Sequence, residues 1–508
     1  MGTYRFFIVL LIAYITFYIP ATYSTEHRPI IICTTEECIN TASEILSKLD
    51  RAVDPCDNFY KFACGGWLQH NRANLSFPKV NIFSLLKRKT ENQIREMLEA
   101  PNKPNDTLSL LKARQVFAQC MNHNTDKNTS SKTVEMTSSN TVEANSIARA
   151  EMDESSRQSN EDDTKWKKCV DNVSMYIAIL HEYVKKYASH LENPEYLEDI
   201  RKIAADVHNV VREQIRNSTW VDQGTKEAFL EKLEHIKYEF IKPEWFSDEA
   251  IDRFYEGLNV SRPYFLNLLN VYKYEKIKVL SLWNSDNTIF SPSLLESMSP
   301  QLYYDKKNNK IVVTAVLLQK PVYDRYRLPI LNYGALGFII GHHITQLFDD
   351  NCVLDNNVTY SERILPLYKN ITQCFIDQYN DYLISGVEDK VIRVNGSLTC
   401  PVNMGDSAGI VAAYHTYKNW KADLQETEYR LKGLEHYTDD QIFFLTYAQF
   451  FCETVLPEHV HNNIVQNKHL LMEIRVRGSL SNSRKFSEVY NCPLETPMNP
   501  KKKCALWF

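Results

Sequence analysis

Apolar and polar positions recur along most of this chain with the period of a helix. From residue 165 to 280 apolar side chains return every three or four positions, out to Ile236 and Phe240, which predicts a series of amphipathic helices. Asn309 to Thr314 reads differently: Ile311, Val312 and Val313 are consecutive β-branched residues, predicting a strand, expected at the edge of a small sheet. Two stretches break the pattern. Phe6 to Ile19 is a short, wholly non-charged, mostly apolar run. Asn124 to Thr164 is rich in Ser, Thr, Asn and Glu, holds no aromatic residue, and cannot bury enough to order itself.

Composition narrows the possibilities. At 508 residues, 44% hydrophobic and 24% charged, the chain can bury a large core in two or three domains. A net charge of −5 gives no basis for binding nucleic acid or anionic membranes. Arg5 ahead of the Phe6–Ile19 run, with Ala21 and Ser24 after it, reads as a signal peptide over residues 1–24 and a secreted mature protein without a membrane span. Retention as a signal anchor is the alternative. Nine Asn-x-Ser/Thr sites, at Asn74, Asn105, Asn128, Asn172, Asn217, Asn259, Asn357, Asn370 and Asn395, fit export and glycosylation. Twelve cysteines, an even number, predict disulfides in that setting.

The candidate chemistry centres on Gly341-His342-His343-Ile344-Thr345-Gln346. Two histidines four apart on a helix share a face and can grip one zinc ion, while a Glu following the first reaches the metal-bound water. Here that frame carries His342, then His343 in place of the Glu, then Gln346 in place of the second His. An imidazole and a neutral amide make a poor zinc pair, and His343 is rotated about 100° from both on a helix.

The surrounding segments resemble the neprilysin and endothelin-converting enzyme family of zinc endopeptidases. Pro55-Cys56-Asp57-Asn58-Phe59-Tyr60, Gln301-Leu302-Tyr303-Tyr304, Leu331-Asn332-Tyr333-Gly334, Val402-Asn403-Met404-Gly405-Asp406 and Cys504-Ala505-Leu506-Trp507 fall in that family's order and spacing. The resemblance implies a mainly α protein of α+β class: a zincin-like domain with a small sheet, joined to a shortened helical lid domain. It implies that His342 and Gln346 stand at two zinc-ligand positions, Val402 at the third and His343 at the catalytic Glu. Asp406 matches the carboxylate that orients a zinc histidine. His469 matches an oxyanion-stabilising His and Arg475 a substrate-gripping Arg, while Gln301 and Leu302 replace an Asn-Ala pair that binds substrate backbone.

The family pattern also suggests an organisation. Residues 25–100 form an N-terminal strap, 101–280 a shortened helical lid with the disordered insert near 124–164, and 281–508 the peptidase-type domain. It pairs Cys33 with Cys38, Cys56 with Cys492, Cys64 with Cys452, Cys120 with Cys169 and Cys374 with Cys504. Cys352 and Cys400 remain, flanking the two helices that zinc would tie together, and a bridge between them is expected to staple the fold in place of metal. Asp349 and Asp350 read as a helix cap rather than a catalytic dyad.

Three functions follow as expectations. The preferred one is a secreted peptidase homologue that has lost zinc-dependent cleavage, needs no cofactor, and binds peptides or a secreted protein. The second is a metallopeptidase with an aberrant site, His342 and His343 sharing a metal with His469 or Asp406. The third is an interaction protein whose cleft is irrelevant.

Overall fold

A computed structural model describes residues 30–75, 77–123, 161–174, 177–242, 245–285, 298–348, 352, 361–385, 391–423, 428–460 and 471–507. The expected signal peptide, residues 124–160 of the expected insert, Asp349, Asp350 and His469 lie outside them. Among the described residues no helix is long and apolar enough to cross a membrane.

Helices dominate, and local sequence starts many of them. Thr35, Asn58, Asn81, Thr107, Asp222, Ser247, Thr438 and Ser483 each accept a backbone N–H at a helix start, satisfying a donor the helix itself cannot. The strap supplies α1 (Glu36–Lys48), α2 (Phe59–His70) and α3 (Ile82–Glu99). The middle supplies α4 (Leu108–Asn122), α5 (Glu161–Ser174), α6 (Ile177–Tyr187), α7 (Pro194–Asn217), α8 (Gln223–Glu234), α9 (Asp248–Phe254) and α10 (Tyr264–Ser285). The last third carries α11 (Pro329–Asn332), α12 (Phe338–Thr345), α13 (Ile364–Asn380), α14 (Gly396–Asp423), α15 (Asp439–Phe450), α16 (Met472–Asn482) and α17 (Arg484–Val489). The insert expected to be disordered to residue 164 becomes helical at Glu161.

Four small sheets are described: β1 (Ile30–Cys33) pairs with Glu428–Leu431, β2 (Lys79–Asn81) with Glu453–Val455, and Leu383–Ser385 with Val391–Arg393, while the fourth and largest corrects two expectations. Its order is β3 (Lys237–Ile241), β5 (Lys310–Thr314), β4 (Leu302–Asp305), with β3 parallel and β4 antiparallel to β5. The strand expected at the edge is therefore the central one. All five residues of β5 are buried, so both of its faces are covered, and the Ile311-Val312-Val313 run shows no alternation. The helical reading through Phe240 also fails, because α8 stops at Glu234 and Lys237 begins a strand. That strand, from the middle part of the chain, pairs with β5 of the C-terminal part.

Five disulfides join the partners expected from the family pattern, and a sixth joins the two cysteines left over, Cys352 and Cys400, as expected. Two of them fasten α2 and the segment before it to the C-terminal third, at Cys64–Cys452 and Cys56–Cys492. There Phe59 packs edge-on against Phe486 and Tyr490. The strap is thus part of the core that supports α15, α16 and α17.

Candidate functional site

The His342 helix is fixed by close backbone approach. A π-helical turn, Tyr333–Gly337, runs straight into α12, and α14 lies across it. At Gly409 an added Cβ would come within 2.6 Å of the His342 backbone nitrogen, and at Gly405 within 2.9 Å of its ring. Only glycine lets the two helices meet so tightly. Upstream, Arg327 anchors the approach to α11 and α12: its buried guanidinium donates to the carbonyls of Pro321, Val322 and Leu331 and to Asn332 Oδ1. Burial pulls this guanidinium down to about 10.

At the centre sits Asp406, fully buried on α14. His342 Nδ1–H donates to its Oδ1 at 2.8 Å, and Arg475 of α16 donates through Nη2 to Oδ1 at 2.7 Å and through Nε to Oδ2 at 2.8 Å. Burial raises the Asp406 carboxyl, but Arg475 and His342 outweigh it and hold the group below its ordinary range. Burial likewise opposes the Arg475 charge, and Asp406 more than restores it. The Arg475 guanidinium also lies over the Phe451 ring at 4.7 Å. Arg475, expected to grip substrate, is thus committed to Asp406 by two of its nitrogens, because a buried carboxylate is a stronger partner than solvent or a transient ligand.

The remaining expected residues do not converge on a metal site. His343 Nδ1–H donates to the Ile339 carbonyl at 2.8 Å, one turn back along its own helix. Its imidazole, desolvated and beside His342, is pulled down to about 3 and stays neutral. Gln346 is the C-cap of α12, which ends at Thr345. Val402 is half-buried and brings only hydrocarbon. Catalytic zinc takes three protein donors and an open position. His342, with Nδ1 spent on Asp406, offers Nε2 alone, so the described residues do not fit that ion. Among the described residues, His181, Glu182 and Asp248 are the one group of three whose donor atoms lie within 4.8 Å of one another. That group is already served: Lys185 contacts Asp248 and Glu182, Lys242 contacts His181, and Thr107 donates to Glu182.

Gln301 and Leu302 stand at the start of β4, an outer strand of the sheet. It is β4, not β5, that could pair with an extended chain along that edge. The Cys352–Cys400 bridge joins the segment after α12 to the first turns of α14, and both sulfurs lie near Met404 Sδ, at 3.5 and 3.7 Å. Sequence reasoning missed Gly405 and Gly409, although their four-residue spacing on the segment bearing Asp406 is the signal of a close helix crossing. It also missed Tyr379 and Tyr447, buried tyrosines whose hydroxyls burial drives far above their ordinary range, with Asp406 adding to the shift.

Comparison with known proteins gives a consistent answer. Two sequence profiles described as Peptidase family M13 match, one over residues 302–506 and the amino-terminal one over 55–137 and 128–243. Endothelin-converting enzyme 1 of Rattus norvegicus is 30% identical over 361 residues, covering 68% of this chain and 45% of that protein. The Homo sapiens protein of the same name is 30% identical, covering 68% and 44%. The chain thus spans under half the length of these relatives. Among solved structures, one described as Haemonchus galactose containing glycoprotein complex aligns with a TM-score of 0.71 at 18% identity, over 94% of this chain and 100% of that one. The Mycobacterium tuberculosis zinc metalloprotease Zmp1 in complex with inhibitor aligns at 0.64 and 14% identity, over 91% and 99%. At such identities the structures speak for the fold alone.

Proposed function

From the membership of this chain in peptidase family M13, we propose that it is an exported, non-catalytic member, which binds a peptide or a secreted protein at the His342 cleft instead of hydrolysing it. One observation carries this reading. Val402 and Gln346, at two of the three ligand positions, and His343, at the position of the general base, provide neither a metal donor set nor a carboxylate. The group that endures, Asp406, spends both oxygens on His342 and Arg475, so it works as a buried ionic clasp. Six disulfides favour an oxidising, extracellular setting. The outer strand β4 offers a backbone edge for an extended ligand.

The test joins two measurements on the intact, disulfide-bonded protein. Titration calorimetry against peptides cleaved by active members of the family should give heat at micromolar concentrations, while a quenched fluorescent peptide library should show no turnover. Turnover abolished by a chelator would overturn the reading. A second reading, an aberrant metal site, draws on the intact His342–Asp406 contact at 2.8 Å, which is how zinc histidines are oriented elsewhere. It requires stoichiometric metal in the purified protein.

A further inference from the structure

A groove of about 450 Å³ runs between α7 and β3. Its lining includes none of the His342-site residues, and in the sheet β3 lies on the far side of β5 from β4. On the helix side the lining positions 201, 204, 205, 208 and 212 recur every three or four residues, so they form one stripe. At 1.5 Å of rise per residue, Arg201 and Arg212 stand about 16 Å apart along the helix axis. Between them the small side chains of Ala204 and Ala205 leave room. On the strand side Tyr238 and Phe240 point to the same face, their rings 6.1 Å apart and inclined by only 6°.

No carboxylate lines the groove itself, and of its two arginines Arg212 is already ion-paired to Glu234, which leaves Arg201 as its open positive charge. Arg212 gives Nε to Glu234 and Nη1 to Asn209, both at 2.6 Å, which fixes its guanidinium plane. Arg201 is exposed and makes no ion pair or hydrogen bond among the described residues. The outer edge of β3 has no strand partner among them either.

We propose that this groove binds an extended acidic peptide segment, laid beside β3 with a carboxylate on Arg201 and apolar side chains against the Tyr238 and Phe240 rings. Alternate side chains of an extended chain project to one face about 6.6 Å apart, close to the spacing of the two rings. Strand addition to the open edge satisfies the backbone of the peptide. A length of 16 Å takes about five extended residues. A sulfated glycan would satisfy the arginines but gains nothing from a strand edge, so the peptide is the better match.

The probe is the pentapeptide acetyl-Glu-Phe-Ala-Val-Glu-amide carrying a fluorophore, with a Lys-for-Glu counterpart, followed by anisotropy on the full disulfide-bonded chain. The acidic peptide should bind and the lysine peptide should not. Arg201→Glu should weaken binding by about tenfold or more, as expected for a lost charge-assisted contact. Ala205→Trp should abolish it by filling the groove. Positions 201 and 205 are both exposed, so neither variant should move the thermal midpoint. Lys501→Ala, at an exposed position outside the groove, should leave binding unchanged. The proposal fails if the acidic peptide does not bind, if the lysine peptide binds equally, or if both groove variants behave as the parent. Binding of a heparin-derived tetrasaccharide without binding of the peptide would overturn it too and reassign the groove to glycans.

Discussion

Replacing Asp406 by Asn asks whether the buried clasp is structural in its own right. The substitution keeps the shape of the side chain and removes its charge. Arg475, with only 13% of its side chain exposed, would then be left as a buried cation without a counter-ion, and two charge-assisted contacts at 2.7 and 2.8 Å would be downgraded. Removing one partner of a buried ion pair costs roughly 3–5 kcal/mol, because desolvation of the survivor is no longer offset. The contact with His342 adds about 1 kcal/mol. Asp406→Asn should therefore lose about 4–6 kcal/mol in urea unfolding at neutral pH with the disulfides intact. The double variant Asp406→Leu/Arg475→Met, which removes both charges, should lose much less, since neither charge is stranded. If the carboxylate served only to orient a metal ligand, the single substitution in a metal-free preparation would be nearly silent. A loss below about 1 kcal/mol would refute the reasoning.

Other consequences are open to measurement. Burial holds the Glu275 carboxyl up at about 8, against an ordinary 4.5, so the folded chain keeps a proton that the unfolded chain gives up. Its contribution is complete below the unfolded value and fades as pH rises toward 8, by at most about 1.4 kcal/mol per pH unit. Glu275→Gln keeps an oxygen for the Tyr255 hydroxyl and the Ile177 N–H, so it should gain on the parent in urea unfolding as pH rises from 5 to 8; a gap independent of pH would contradict this. Replacing Cys352 and Cys400 together by Ser opens a loop of 48 residues and should cost about 4 kcal/mol in the chain-entropy model, read as a fall in the denaturant midpoint. Gly409→Ala drives a Cβ to 2.6 Å from the His342 nitrogen, so it should destabilise by about 1–3 kcal/mol and shift the His342 ring resonances, whereas Gly224→Ala, with its nearest atom at 3.7 Å, should do neither.

Much of this architecture could be read from residues alone, and the failures have physical causes. The His342 helix and the Val312 strand depend on local patterns, while five of the cysteine pairs came only from the family resemblance, and each is found in the fold. The place of that strand within its sheet is a long-range property. Its Ile311-Val312-Val313 run indicates covered faces, not which strands lie beside it, and one neighbour, Lys237–Ile241, comes from a segment whose apolar spacing also suits a helix. Arg475 is the sharper lesson. Its position suggested a substrate contact, yet only three-dimensional structure reveals that Asp406 already holds two of its nitrogens. The groove under Arg201 left no motif, because it is made by a helix stripe meeting alternate residues of a strand.

The central claim is that this family member holds no catalytic metal, and it is tested most directly by elemental analysis of the purified, disulfide-bonded protein after dialysis against zinc. The account predicts far less than one zinc per chain, and one bound ion only in the variant His343→Glu/Gln346→His/Val402→Glu, where three donors and a base are restored. One tightly held zinc per unaltered chain, together with peptide cleavage that a chelator abolishes, would contradict it.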